Sequence, residues 1–221
     1  MGLNFDQLIY FLPAFIIAIA VHEASHAFSA TLLGDPSPRA AGRLSLNPLR
    51  HLDPLGTITL FLVGFGWGKP VYVNPGAFKT NPRTGMALTA VAGPASNLVT
   101  AGLVGLFYRF YLEPSVLQQL VAGRLVGGDW MVTALDIARA IIYINVMLAI
   151  FNLIPLPPLD GFSVLMGVLP RKAAMTIAPI ARYGPGLLML LFFLPFVLKI
   201  NVLGRIITPP IDFLFRAIVG T

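Results

Sequence analysis

His22-Glu23-Ala24-Ser25-His26 sets two imidazoles four residues apart with a carboxylate between them. On a helix, such positions lie one turn apart on one face, so both rings can bind a single metal ion. Glu23 sits one residue along, where it can reach a water on that metal and act as a general base in hydrolysis. The chain holds three His and two Glu, and this five-residue window takes two of the His and one of the Glu. A helix-packing cluster of satisfied polar groups is the bland alternative. Ionisable side chains in mid-span are expensive, which favours function over packing.

A catalytic zinc takes three protein ligands and keeps one position open for water. The best third ligand is Asp160, in Asn152-Leu153-Ile154-Pro155-Leu156-Pro157-Pro158-Leu159-Asp160-Gly161. The prolines unwind a helix end there and free backbone carbonyls, and Gly161 allows a sharp turn. The same residues read equally well as a loop with Asp160 capping the next helix. His51 reads as a loop residue near the headgroups rather than a ligand, and Trp67 beside Lys69 as an interfacial anchor.

Hydrophobic residues make up 57% of the 221 and charged ones 11%. A soluble domain averages about 25% charged, so lipid must cover most of this surface. The length allows roughly six spans of about 20 residues. The expected class is an all-α polytopic membrane protein with about five to six transmembrane helices, built as one membrane-embedded domain over 1–221. Its catalytic core is expected over about 8–170, with C-terminal helices over about 171–221.

Apolar runs predict spans over about 8–33, 86–111 and 131–154, with a further strong run over 186–198. Residues 55–65 are too short to cross. With Val71-Tyr72-Val73 between two prolines, they suggest a re-entrant segment and short β-hairpin near 55–75. Residues 112–130 read as a loop. The tail 200–221 is apolar but broken by Pro209-Pro210, and composition leaves its span open.

The net charge is +6, and no basic cluster is interleaved with aromatics, so lipid headgroups rather than nucleic acid are the expected partner. Segments 34–54, 66–85 and 170–182 hold nine of the fifteen Lys and Arg, which places them in the cytoplasm, with 112–130 and the N-terminus outside. Asp6, with no Lys or Arg near it, makes the start unlike a signal peptide, so the first apolar run is expected to be retained. The absence of cysteine excludes thiol catalysis, thiolate ligands and disulfides.

Taken together, HEASH, the GPASN of Gly93 to Asn97, and NLIPLPPLDG resemble the site-2 protease family of intramembrane zinc metalloproteases. The three motifs stand in the family's order on three successive predicted spans. NPLRHLDPLGT and GWGKPVYVNP are similar to compact prokaryotic members. The likeness covers roughly residues 15–170.

The resemblance implies that His22, His26 and Asp160 bind one Zn2+ per chain and that Glu23 is catalytic. It matches Asn97 and Asn152 to asparagines that bind substrate or stabilise an oxyanion. For either, interhelical hydrogen bonding is an equal reading. It implies an endopeptidase that hydrolyses peptide bonds in transmembrane segments with a zinc-activated water, Glu23 being the general base. The partners would be a transmembrane protein substrate and the bilayer, in a multi-pass protein of a prokaryotic plasma membrane with the site opening to the cytoplasm. No PDZ-like or nucleotide-binding regulatory domain fits in this length. The competing reading is a membrane metal transporter or sensor using the same His and Asp ligands. That reading predicts further ligands along a path, and needs no general base.

Overall fold

A computed structural model describes residues 5–63, 66–121 and 130–220. They form ten α-helices: α1 (Phe5–Leu32), α2 (Ser37–Ala40), α3 (Pro54–Val63), α4 (Pro82–Phe107), α5 (Glu113–Val121), α6 (Trp130–Asn152), α7 (Asp160–Val168), α8 (Arg171–Ile177), α9 (Gly184–Leu198) and α10 (Val202–Val219). Helix α4 is central and packs against α1, α6 and α7.

Small residues let these helices approach closely, as is usual where lipid removes the hydrophobic drive between them. Ala14, Ala18, Ala27 and Ala30 of α1, Ala101 of α4 and Ala149 of α6 are all fully buried. One core joins Ala14, Phe15, Ala18 and Ile19 to Leu60 of α3 and Ile144 of α6. A second joins Ala101 and Tyr108 to Ile142 and Val146 of α6 and Ile211 and Val219 of α10. Large apolar side chains on α9, such as Leu190, Phe193 and Val197, stay exposed and suit contact with lipid.

Helix α1 ends as its sequence asks. Gly34 adopts φ +112°, and the N–H groups of Gly34 and Asp35 bind the carbonyls of Thr31 and Ala30. That is a Schellman stop. The Asp35 carboxylate then accepts N–H bonds from Ser37 (2.9 Å) and, across the chain, from Asn74 (2.6 Å). Lys79 N–H binds Leu33 O at 2.8 Å. These bonds strap residues 66–81 to the end of α1.

Several expectations are corrected here. Among the described residues, four stretches are long and apolar enough to cross a membrane: Ile9–Leu32, Pro82–Gln118, Val132–Asn152 and Arg171–Pro195. Of the other helices, α3 is too short to cross, and α10 is amphipathic, with Arg205, Asp212 and Arg216 among its 18 residues. No β-hairpin forms among the described residues near 55–75. Residues 54–63 are helical, and a single antiparallel bridge joins Leu52 to Gly68. The Val71–Val73 segment has no strand partner among the described residues. Just before it, the buried Arg43 guanidinium binds the carbonyls of Lys69 and Pro70, and that of Arg50. The loop expected at 112–130 is helical as far as Val121, because α4 passes through a π turn at Tyr108–Leu112 into α5. That wide turn precedes Pro114, which has no N–H for the α-helical ladder. Residues 122–129 lie outside the described set. Helix α10 runs unbroken through Pro209 and Pro210.

Candidate metal centre

The HEASH segment lies in the second half of α1, and both imidazoles are buried, His22 at 6% exposure and His26 at 8%. They face α4. An ideal Cβ at Gly93 would stand 2.4 Å from His26 Nε2 and 2.7 Å from His22 Cε1. Only glycine fits there, which gives the first letter of GPASN a physical reason.

The hydrogen bonds fix the tautomer of each ring. His26 Nδ1 lies 2.7 Å from Thr89 O, a pure acceptor, so Nδ1 carries the proton. His22 Nδ1 lies 2.6 Å from Asn97 Oδ1. The Asn97 amide cannot be turned round, because its Nδ2 donates to Ala18 O (3.0 Å) and to Asn145 Oδ1 (2.8 Å). Its oxygen therefore faces His22, and His22 Nδ1–H donates to it. With both Nδ1 atoms protonated, each ring, when neutral, presents a bare Nε2 lone pair.

Those lone pairs converge. The two Nε2 atoms are 3.1 Å apart. Asp160 Oδ2 lies 3.1 Å from that of His22 and 3.2 Å from that of His26. Asp160 Oδ2 is buried and makes no aligned hydrogen bond. Three electron-pair donors meeting in a buried place repel one another unless a cation sits among them. Ligands at about 2.0–2.1 Å in tetrahedral array stand roughly 3.3 Å apart, close to the spacing seen, so the residues fit zinc.

Asp160 arrives from a distant part of the chain, at the start of α7. The chain leaves α6 at Asn152, turns through the proline segment, and starts α7 at Asp160. A Cβ at Gly161 would stand 2.2 Å from Leu153 O and 2.4 Å from Ile154 O, so glycine is required for the fold-back. The helix cap is Leu159, without a side-chain cap bond, and the Asp160 carboxylate is turned to the histidines. This excludes the N-cap reading of that carboxylate. The far end of α7 is gripped by Arg83 of α4, which donates to the carbonyls of Met166 and Leu169.

The model of peptidase family M50 matches residues 10–193. The chain belongs to this family, that of the site-2 proteases. A Bacillus subtilis (strain 168) relative named "Putative zinc metalloprotease YwhC" is 36% identical over 84% of this chain and 81% of its own length. "Putative zinc metalloprotease Rip2" of Mycobacterium tuberculosis (strain H37Rv) is 30% identical over 83% of this chain and 66% of its own length. No solved structure matches the chain. The M50 membership makes the chain a zinc metalloprotease and a membrane protein, in keeping with its four apolar helices.

The other candidate residues of this M50 peptidase are placed as follows. Glu23 is half-buried, with Oε1 3.3 Å from where a Cβ of Gly68 would stand, so the Gly66–Lys69 segment walls its carboxylate. Asn97 is fully buried and both its amide hydrogens are engaged within the bundle. Asn152 Nδ2 donates to Leu148 O at 3.0 Å, one turn back in its own helix. His51 is a loop residue, as expected. It is wholly buried, with Nε2 2.6 Å from Ser45 O, because residues 43–52 curl around it. It is not one of the converging ligands. Sequence reasoning passed over Thr89, whose contribution is a backbone carbonyl and leaves no mark in the sequence. It also passed over Asn145, whose only signal is a buried amide in an apolar run.

Proposed function

We propose that this chain is an intramembrane endopeptidase, with one zinc held by His22, His26 and Asp160, that cleaves transmembrane segments of other proteins. The observation that carries the reading is the meeting of three bare donor atoms, 3.1–3.2 Å apart, with Glu23 one residue from the first. They lie between helices long and apolar enough to cross a bilayer.

When bound, zinc supplies Lewis acidity that polarises a peptide carbonyl and makes water a nucleophile near neutral pH. The chain's own residues do the rest. Asn97 and Thr89 O hold the two rings with Nε2 facing inward. Glu23 takes the proton of the attacking water and delivers it to the leaving amine. Asn152, at the helix end nearest Asp160 in sequence, is the candidate to bind the scissile carbonyl once its amide leaves Leu148 O. Asn97 has no free amide hydrogen for that task. The substrate segment must be unwound, since helical hydrogen bonds shield its carbonyls. We place the protein in a prokaryotic plasma membrane with the site opening to the cytoplasm, on the strength of the Lys and Arg in 34–54, 66–85 and 170–182.

The experiment compares Glu23→Gln with Asp160→Asn in detergent or liposomes, measuring zinc content and cleavage of a transmembrane substrate on the same samples. Glu23→Gln should keep zinc and lose at least ~10²-fold in rate. Asp160→Asn should lose zinc affinity as well. Near-normal cleavage by Glu23→Gln would remove this mechanism, whereas a wild-type chain that binds zinc and cleaves nothing would favour the transporter or sensor reading.

A further inference from the structure

Asn145 lies in α6, outside every motif that pointed to the metal centre. It is fully buried. Its Nδ2 donates to Ile141 O at 2.9 Å, one turn back, which fixes which way its amide points. Its Oδ1 therefore faces α4 and accepts from Asn97 Nδ2 at 2.8 Å. Asn97 in turn holds His22 Nδ1–H at 2.6 Å. The result is a single file of two amides ending on an imidazole, Asn145 to Asn97 to His22, with each orientation set by the one before. Ala18 O, from the same helix as His22, closes the file by taking the other Asn97 hydrogen.

An amide can be turned end for end with little change in shape, and the turn exchanges donor for acceptor. If Asn97 turned, its NH2 would face His22 Nδ1. The ring would then keep a bare Nδ1 and carry its proton on Nε2, the atom that must be bare to bind a metal. Ala18 O and Asn145 Oδ1 are the two acceptors that forbid this turn.

We propose that Asn145 is a positioning residue for the metal centre, acting through Asn97 to hold His22 in its metal-binding tautomer. This rests on the zinc reading above for its consequence, but the amide file itself can be tested without metal.

The test uses the full chain in micelles, with Asn145→Leu, Asn145→Asp, Asn97→Leu and the Asn145→Leu/Asn97→Leu double variant. Zinc affinity is read by chelator competition, and the exchange protection of the Asn97 side-chain amide by NMR on the metal-free protein. Asn145→Leu should weaken zinc binding about 10-fold, the lower range for losing a partner outside the ligand set. It should also reduce Asn97 amide protection at least several-fold. Asn145→Asp keeps an acceptor oxygen towards Asn97 and should recover most of the zinc affinity, which a general packing defect would not do. The double variant should be no weaker than Asn97→Leu alone, because Asn145 acts only through Asn97. Zinc affinity unchanged in Asn145→Leu, or additive losses in the double variant, would overturn the proposal. If the wild-type chain binds no zinc at all, the metal reading fails, and the amide protection alone decides the file. Unchanged protection in Asn145→Leu then refutes it.

Discussion

A methyl group at position 93 tests whether α4 is set against α1 for the sake of the two histidines. A Cβ there would meet His26 Nε2 at 2.4 Å, His26 Cε1 at 2.6 Å and His22 Cε1 at 2.7 Å. Ordinary contact begins at 3.4 Å, so the rings must retreat by about 1 Å. They cannot retreat alone, because both Nδ1 atoms are bonded to α4 itself, through Thr89 O and Asn97 Oδ1. Either those bonds break or α4 lifts off α1. A metal site tolerates about 0.2 Å in its ligand distances, and losing one outer partner costs about 10–100-fold in affinity. Gly93→Ala should therefore weaken zinc binding at least ~10²-fold, and cleavage with it. Gly102→Ala is the control on the same helix, since its Cβ meets nothing within 4 Å. It should bind zinc like the wild type, with a stability change within about 1 kcal/mol. The assay is chelator competition on full-length protein, with circular dichroism to establish that both variants keep their helices. Wild-type zinc affinity in a fully helical Gly93→Ala would refute the reasoning.

Two further outcomes follow from the bonds around the site. Burial raises the pKa of Asp35, but the N–H groups of Asn74 and Ser37 outweigh it and hold the carboxyl below the usual carboxylate range. A lowered folded value means that the strap's stabilisation is present above the unfolded pKa of about 3.9 and is lost as pH falls through the folded one. Hydrogen-exchange protection of residues 74–79 should thus hold from neutral pH down to about 4 and fail below it, and should already be lost at neutral pH in Asp35→Ala. Arg83→Met removes the donors that grip the end of α7 and should destabilise the chain by about 1–3 kcal/mol, read by thermal or denaturant unfolding. Arg83→Lys should recover only part, because an ammonium cannot present the guanidinium's fork to several carbonyls.

The residues brought to the metal centre were legible where chemistry depends on side-chain type at fixed spacing. His22, Glu23 and His26 are one helical turn, and one turn is a local property. Asp160 could be picked out but not decided, since a carboxylate at a helix start caps or ligates according to what lies opposite. The supports were less legible. Asn97 is visible as an amide in an apolar helix, yet whether it faces a substrate or a ring depends on α1 and α6. Thr89 serves through its carbonyl, so any side chain there would give the same bond to His26. Composition left the span of 200–221 open, and the helix formed there, α10, carries Arg205, Asp212 and Arg216 beside its apolar residues. The hairpin near 55–75 did not form where it was expected, since residues 54–63 are helical, and Arg43, from another segment, holds the carbonyls of Lys69 and Pro70.

The placement of Asp160 has a mechanical side. His26 and Asp160 bracket the stretch of chain that contains both α4 and α6. An ion gripped by both ends of that stretch makes it a closed ring, and a longer ring forfeits more freedom on closing. Tension applied at the C-terminus would first strip α10 from its packing on α4 and α6 and draw out α9 and α8, leaving the ring closed, and would then come to bear on the hold of Asp160 at the head of α7. The same small ion that serves the chemistry would thus act as a clasp, keeping the helices around the site from being peeled away one at a time.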